Sequence, residues 1–271
     1  QAGYTRLEAP AAGVVTAVGE GVDRALLGAR VASESFHGAY AECAVAPADR
    51  LVRLPGQVDA ASGAAAMIQA MTAHYLTHST WPLAPGEWCL VHAAAGGTGL
   101  LICQMARLRG ARVIGTASTA AKAAAALGAG AEVVIRYTEQ DVPAEVRRVT
   151  AGAGGRVAYD SVGRTTWEGS LASLGPRGML VLFGQSSGVV PPIDPLVLAR
   201  AGALFLTRPV LGHYVQQPTE LQARAREVLA AMQRARAELG EFADGVQGSV
   251  RVMASPSVLA EKLPDDIGRF L

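Results

Sequence analysis

The segment His92-Ala93-Ala94-Ala95-Gly96-Gly97-Thr98-Gly99 carries the residue types and spacing that a phosphate-binding turn requires. Set against the G-x-G-x-x-G pattern of dinucleotide sites, Ala94 takes the first glycine position, and Gly96 and Gly99 hold the second and third. A glycine at 96 lets phosphates approach the backbone, and one at 99 lets the following helix pack closely on the preceding strand. The N–H groups of the first helical turn then face the anion, with the helix dipole favouring negative charge. Ala95, Gly96, Gly97, Thr98 and Gly99 are therefore expected to hold a dinucleotide pyrophosphate. The competing reading is a glycine turn without a ligand, and the pattern counts only if a strand precedes it and a helix follows.

The end of the next strand chooses between nicotinamide cofactors. A site for NAD places an acid about 20 residues beyond the glycines, on the ribose 2′-hydroxyl. Here the stretch is Thr116-Ala117-Ser118-Thr119-Ala120-Ala121-Lys122, without an acid. Hydroxyls and a cation attract a 2′-phosphate where a carboxylate would repel it, so NADPH is expected, with Ser118 and Lys122 beside the extra phosphate. Otherwise Lys122 is one more solvated helix cation.

These residues need a scaffold, and the pattern around them supplies one. Cys89–Ala93, Arg112–Thr116, Glu132–Ile135, Arg156–Asp160, Met179–Phe183 and Ala203–Thr207 read as short apolar strands, with helical stretches between them. Near-continuous apolar strands alternating with helices predict a parallel sheet covered on both faces, the doubly wound α/β architecture. Upstream, 60–79 is Ala-rich with Met67, Met71 and Tyr75 four residues apart, a helix with one apolar face. Before it, Gly13–Gly19, Arg30–Ala32 and His37–Val45 read as strands of a small barrel-like β unit.

Composition narrows the class. Half the residues are hydrophobic and 17% charged, which suits a compact folded chain and not a disordered one. A net charge of +1 gives no excess for nucleic acid or acidic membranes. Cys43, Cys89 and Cys103 have no CxxC or CxxH spacing, so buried, inert thiols in a reducing, cytoplasmic setting are expected. No apolar run is long enough to span a bilayer. The chain opens at Gln1 without Met and enters strand-like sequence almost at once, so an upstream piece is expected.

From about Gly13 to Tyr214 the sequence resembles the zinc-independent quinone oxidoreductase branch of the medium-chain dehydrogenase/reductase superfamily. Gly38-Ala39-Tyr40-Ala41-Glu42, the 92–99 turn, Tyr159-Asp160-Ser161-Val162-Gly163, Phe183-Gly184-Gln185-Ser186-Ser187-Gly188 and 206–214 carry the likeness. It implies a Rossmann-type nucleotide domain over 69–210, a partial GroES-like barrel domain over 1–68, and a divergent segment over 211–271. It implies hydride transfer from NADPH to a quinone or activated enone without a metal, and a homodimer paired through Ala203–Thr207. By position, Thr72 approaches the nicotinamide or its phosphates, Tyr137 flanks the adenine ribose, and Ser161, Phe183 and Ser186 sit where the cofactor crosses the sheet edge. Tyr137 could instead be a surface turn residue and Phe183 plain core. His37 is expected to be a loop histidine. No catalytic residue is assigned; Tyr40 and His213 are the polar candidates near an expected cleft, and both read as structural.

Two departures from the family pattern stand out. The family's first strands would lie upstream of Gln1, and Pro10 falls where relatives run straight into a strand. The tail, about 225–271, resembles the join of linker helix and effector domain in LysR-type regulators, or is simply a diverged helix–strand–helix. If the substrate domain is incomplete, the second functional class is a non-catalytic NADPH-binding module of structural or regulatory role.

Overall fold

The computed structural model describes residues 8–37, 39 and 41–242. In chain order the elements are β1 Glu8–Val14, β2 Arg30–His37, β3 Val52–Arg53, α1 Ala60–Ala65, α2 Met71–Tyr75, β4 Trp88–Val91, α3 Gly97–Leu108, β5 Arg112–Ala117 and α4 Ala120–Gly128. They continue with β6 Val133–Arg136, α5 Val142–Val149, β7 Gly155–Asp160, α6 Trp167–Ser173, β8 Leu174–Leu182, α7 Pro195–Arg200, β9 Phe205–Thr207, α8 Leu211–Tyr214 and α9 Pro218–Phe242. The chain divides into two compact units, one from residues up to Ser79 joined by the segment from Val210, the other running Thr80–Pro209.

The second unit is the doubly wound sheet expected from the strand pattern. Its six strands lie in the order β6-β5-β4-β7-β8-β9, all parallel. Chain direction across the sheet reverses at β4, which pairs with β5 on one side and β7 on the other. On one face Leu90, Ile114, Ala158 and Leu180 are register neighbours, buried together with Ile135, Val146 of α5 and Leu171 of α6. The opposite face carries Cys89, Val113 and Val157, and there α3 brings Ile102, Cys103 and Ala106, each fully buried. Burying side chains of this size contributes roughly 1.5–3 kcal/mol each, so sheet and helices cannot form independently.

Burial also silences two thiols. The apolar setting pushes the Cys89 thiol far up, and lifts that of Cys103 to about 12, so neither is a thiolate near neutrality. Cys43 is instead exposed. A thiol-exchange reagent at mildly alkaline pH should therefore titrate one thiol quickly in the folded protein and the other two only on unfolding. A second fast thiol would show that the α3 face of the sheet opens.

The first unit holds the antiparallel sheet β1-β2-β3. Strand β1 covers Glu8–Val14 where Gly13–Gly19 was expected, and it includes Pro10. The ladder shifts register between Ala9 and Ala11, placing the proline at an irregularity where its missing N–H costs no ladder bond. In the described part of the expected strand over His37–Val45, His37 closes β2 instead of lying in a loop, and Cys43–Ala46 is irregular, with Val45 90% exposed. Alternation makes a strand only beside a partner, and none pairs with 41–45 among the described residues. The helical stretch from Ala60 has π-helical turns at Ala66–Ala70 and Leu76–Thr80. Met67, Met71 and Tyr75 are buried on its inner side as their spacing required. Tyr75 stacks on Tyr214 at 4.2 Å. Gly38, Tyr40 and the tail from residue 243 lie outside the described residues; 218–242 is a single helix.

Candidate nucleotide-binding site

Strand β4 ends at Val91, and the chain turns through His92–Gly96 into α3 at the point where strand order reverses. Crevices at such switch points, beyond the carboxyl ends of the strands, are where doubly wound sheets bind ligands. Gly96 is the residue before α3, extended at φ −77°, ψ 162°, and no side chain among the described residues caps the helix. The first-turn N–H groups therefore await an acceptor. Gly96 is exposed, while Ala95, Gly97 and Thr98 are half-buried.

The close packing assigned to Gly99 is present. A Cβ built there would lie 2.3 Å from the Ala93 carbonyl oxygen and 2.9 Å from Ala94 Cα. At Gly96 the same construction meets that oxygen at 3.2 Å. Gly115 on β5 is equally constrained, since its Cβ would fall 2.8 Å from Ala94 Cβ. The turn is thus held between α3 and β5, and Ala93 takes a left-handed φ of 49°, uncommon for a residue with a side chain. That strain was not visible in the sequence, because alanine carries no signal for it.

Ser118 follows β5 directly and is half-buried. Thr119 caps α4, its Oγ1 accepting the Lys122 N–H at 3.3 Å, which puts the exposed Lys122 in the first turn of that helix. In the neighbouring strand Ala117 pairs with Arg136, and Tyr137, 53% exposed, donates its N–H to the Ala117 carbonyl at 3.3 Å. Ser118, Lys122 and Tyr137 therefore gather at one end of β5 and β6. No acid lies between Ala117 and Lys122, but Arg136, which sequence reasoning missed, stands beside them, ion-paired to Glu139. Ser161 and Phe183 follow β7 and β8 and are half-buried. Phe183 donates its N–H to the Asp160 carbonyl at 2.9 Å, and the exposed Ser186 to that of Ser161 at 3.2 Å. Thr72 belongs to the first unit, on α2, and its assignment rests on the family resemblance alone. His213, exposed on α8, is likewise in the first unit.

A fully buried carboxylate, Asp160, ends β7. It accepts from the N–H groups of Val162 at 2.8 Å and Gly163 at 3.0 Å, from Thr166 Oγ1 at 2.8 and 2.9 Å, and from Ser170 Oγ at 2.8 Å. His92, 4% exposed, lies next to it. Burial pushes the imidazole below its ordinary 6.5, only partly opposed by the Asp160 charge. Between the two values the unfolded chain binds a proton that the fold excludes. The stabilising contribution is complete above about 6.5 and is lost as pH falls below it, by up to about 1.4 kcal/mol per pH unit. Urea midpoints at neutral and mildly acidic pH should show this loss, and His92→Phe should reduce it. An unchanged slope in the variant would mean His92 is not the group excluded from protonation.

Fold and turn together define a nucleotide-binding α/β protein of the doubly wound class. The family model described as zinc-binding dehydrogenase matches residues 97–234. A quinone oxidoreductase of Pseudomonas aeruginosa is 43% identical over 224 residues, 82% of this chain and 69% of that protein. A 2-haloacrylate reductase of Burkholderia is 42% identical over 215 residues, 78% of this chain and 65% of that one. The crystal structure of Escherichia coli quinone oxidoreductase complexed with NADPH superposes with a TM-score of 0.81 at 41% identity, over 84% of this chain and 71% of that one. The chain belongs to the quinone oxidoreductase branch of the medium-chain dehydrogenase/reductase superfamily. Although the family description names zinc, no group of three His, Cys, Asp or Glu side chains among the described residues fits a metal ion. Nothing in these matches supports the regulator-like reading of the tail.

Proposed function

We infer that this chain is an oxidoreductase that binds NADPH at the β4–α3 turn and reduces a quinone or activated enone. The observation that carries the reading is the turn itself, an uncapped helix N-terminus at the switch point, with no room for a side chain at Gly99. The names of the relatives, quinone oxidoreductase and 2-haloacrylate reductase, supply the acceptor class. Ala95–Gly99 would hold the pyrophosphate through backbone N–H groups. Ser118 and Lys122 would meet the 2′-phosphate, with Tyr137 against the adenosine half, and Ser161, Phe183 and Ser186 would border the nicotinamide side. The bound nicotinamide supplies the hydride. The protein's share is orientation and exclusion of water, and no proton-transferring side chain is assigned. β9 pairs only with β8 among the described strands, and Phe205 on it is 54% exposed. It is the proposed edge of a homodimer, which sedimentation at micromolar concentration checks. A cytoplasmic location belongs to the same proposal, supported by three free cysteines.

Steady-state oxidation of NADPH with a small ortho-quinone, run beside a direct binding titration, tests the reading. Saturable binding with quinone-dependent turnover is expected. Binding without turnover would leave the second reading, a non-catalytic NADPH-binding module. What favours that reading is the first unit, whose described strands form a three-stranded sheet with Val14 57% exposed.

A further inference from the structure

Beneath the phosphate-binding turn lies a file of buried side chains that come from four separate elements. The Ala93 N–H donates to Thr116 Oγ1 at 3.3 Å, and that hydroxyl lies 3.2 Å from His92 Nδ1. On the far side of the ring, His92 Nε2 is 3.0 Å from Ser170 Oγ, which donates to Asp160 Oδ2 at 2.8 Å. Thr116, Ser170 and Asp160 are at most 1% exposed.

The polarity of this file follows from its far end. A carboxylate only accepts, so Ser170 spends its proton on Asp160 Oδ2 and accepts from His92 Nε2–H, which leaves Nδ1 to accept from Thr116. His92 is then the Nε2–H tautomer, donating to Ser170, whose proton goes to the carboxylate. The reverse order would leave the threonine proton unspent and remove the Ser170 donation from Asp160. A consistent direction of this kind lets each bond strengthen the next.

The file ends at the residue that shapes the turn. Ala93 holds its left-handed conformation with the N–H tied to Thr116 and its carbonyl accepting the Gly96 N–H at 2.9 Å. That carbonyl also fills the space denied to a side chain at Gly99. Releasing the Ala93 N–H would free both the turn and the start of α3. At the other end, Asp160 Oδ1 grips the N–H groups of Val162 and Gly163, adjoining Ser161.

We propose that Thr116, His92, Ser170 and Asp160 form a positioning relay for nucleotide binding, which sets the phosphate turn before the ligand arrives and ties it to the Ser161 loop. None of these side chains touches the nucleotide in this scheme, and all four are positioning residues. The proposal rests on the assignment of the turn to the NADPH pyrophosphate.

Thr116→Val removes the hydroxyl at nearly constant volume, and Thr116→Ser restores it. By fluorescence titration, the valine variant should bind NADPH roughly tenfold more weakly, as expected for one lost directed hydrogen bond, and the serine variant within about twofold of wild type. Long-range proton–nitrogen correlation of the imidazoles, with His92 assigned by its absence in His92→Gln, should show the Nε2–H tautomer in wild type. A valine variant that melts lower yet binds NADPH as wild type does overturns the relay, as does an Nδ1–H tautomer. Should Thr116→Val not fold, Ser170→Ala breaks the file two links from the turn; several-fold weaker binding supports the proposal and unchanged binding overturns it. Wild-type protein that fails to bind NADPH overturns the cofactor assignment and the relay's purpose together, whereas normal binding with the wrong tautomer overturns the relay alone.

Discussion

Gly99→Ala should lose NADPH binding by about a hundredfold or more, because the new methyl group has nowhere to go and at least one charge-assisted bond to phosphate is lost with the turn. Its Cβ would stand 2.3 Å from the Ala93 carbonyl oxygen, with Ala94 Cα at 2.9 Å behind it. Both neighbours are backbone, so no side-chain rotation relieves the contact. Two effects oppose each other. Alanine is the better helix former by about 1 kcal/mol, while forcing an extra methyl into a packed site costs about 1–3 kcal/mol, more where backbone must move. The steric term wins, and its outlet is displacement of the 92–96 turn away from α3. Melting temperature should fall together with affinity. Gly128→Ala is the control, since it lies at the end of α4 with nothing within 4 Å of its added methyl. That variant should keep full affinity with equal or higher stability. If Gly99→Ala bound NADPH normally, the close approach of helix and turn would not be a condition of binding.

Legibility in the sequence followed the range of the interactions. The parallel sheet was readable because each strand is a run of apolar residues with burial on both faces, as at Leu90–Val91 and Val113–Ile114. Gly99 was readable because its constraint is local, six residues from the carbonyl it faces. Where strand existence depends on a partner, alternation misled. The 41–45 segment has the pattern without a strand beside it, and β1 shifted toward its N-terminal end once Pro10 was absorbed at a register irregularity. The file under the turn was out of reach for another reason. His92 and Ser170 are 78 positions apart and His92 and Thr116 are 24 apart, so only the strand order brings them together. Asp160 entered the sequence reading only as part of the family-like motif 159–163, and its five hydrogen bonds are with groups that the β7–α6 loop and α6 supply.

Lys122→Ala should weaken NADPH by roughly ten- to a hundredfold and NADH by less than about twofold, since a charge-assisted contact is worth about 1.5–3 kcal/mol and only one cofactor offers the second phosphate. The backbone at this corner is already fixed: the Lys122 N–H is held by the Thr119 cap, which the substitution leaves in place. The side chain is exposed and makes no ion pair among the described residues, so its removal should not change the melting temperature measurably. Any loss is therefore a loss of recognition and not of fold. Screening provides an internal check, because an exposed charge pair fades as salt rises while the backbone contacts to pyrophosphate persist. The preference of wild type for NADPH should accordingly shrink toward that of the variant at molar salt. Arg136 should set the residual preference: it pairs in register with Ala117 at the same end of β5 and β6, and its ion pair with Glu139 keeps it a weak substitute. Glu139→Gln in the Lys122→Ala background should then recover part of the lost NADPH affinity. Equal weakening of both cofactors by Lys122→Ala would place the 2′-phosphate elsewhere, and with it the whole adenosine half of the site.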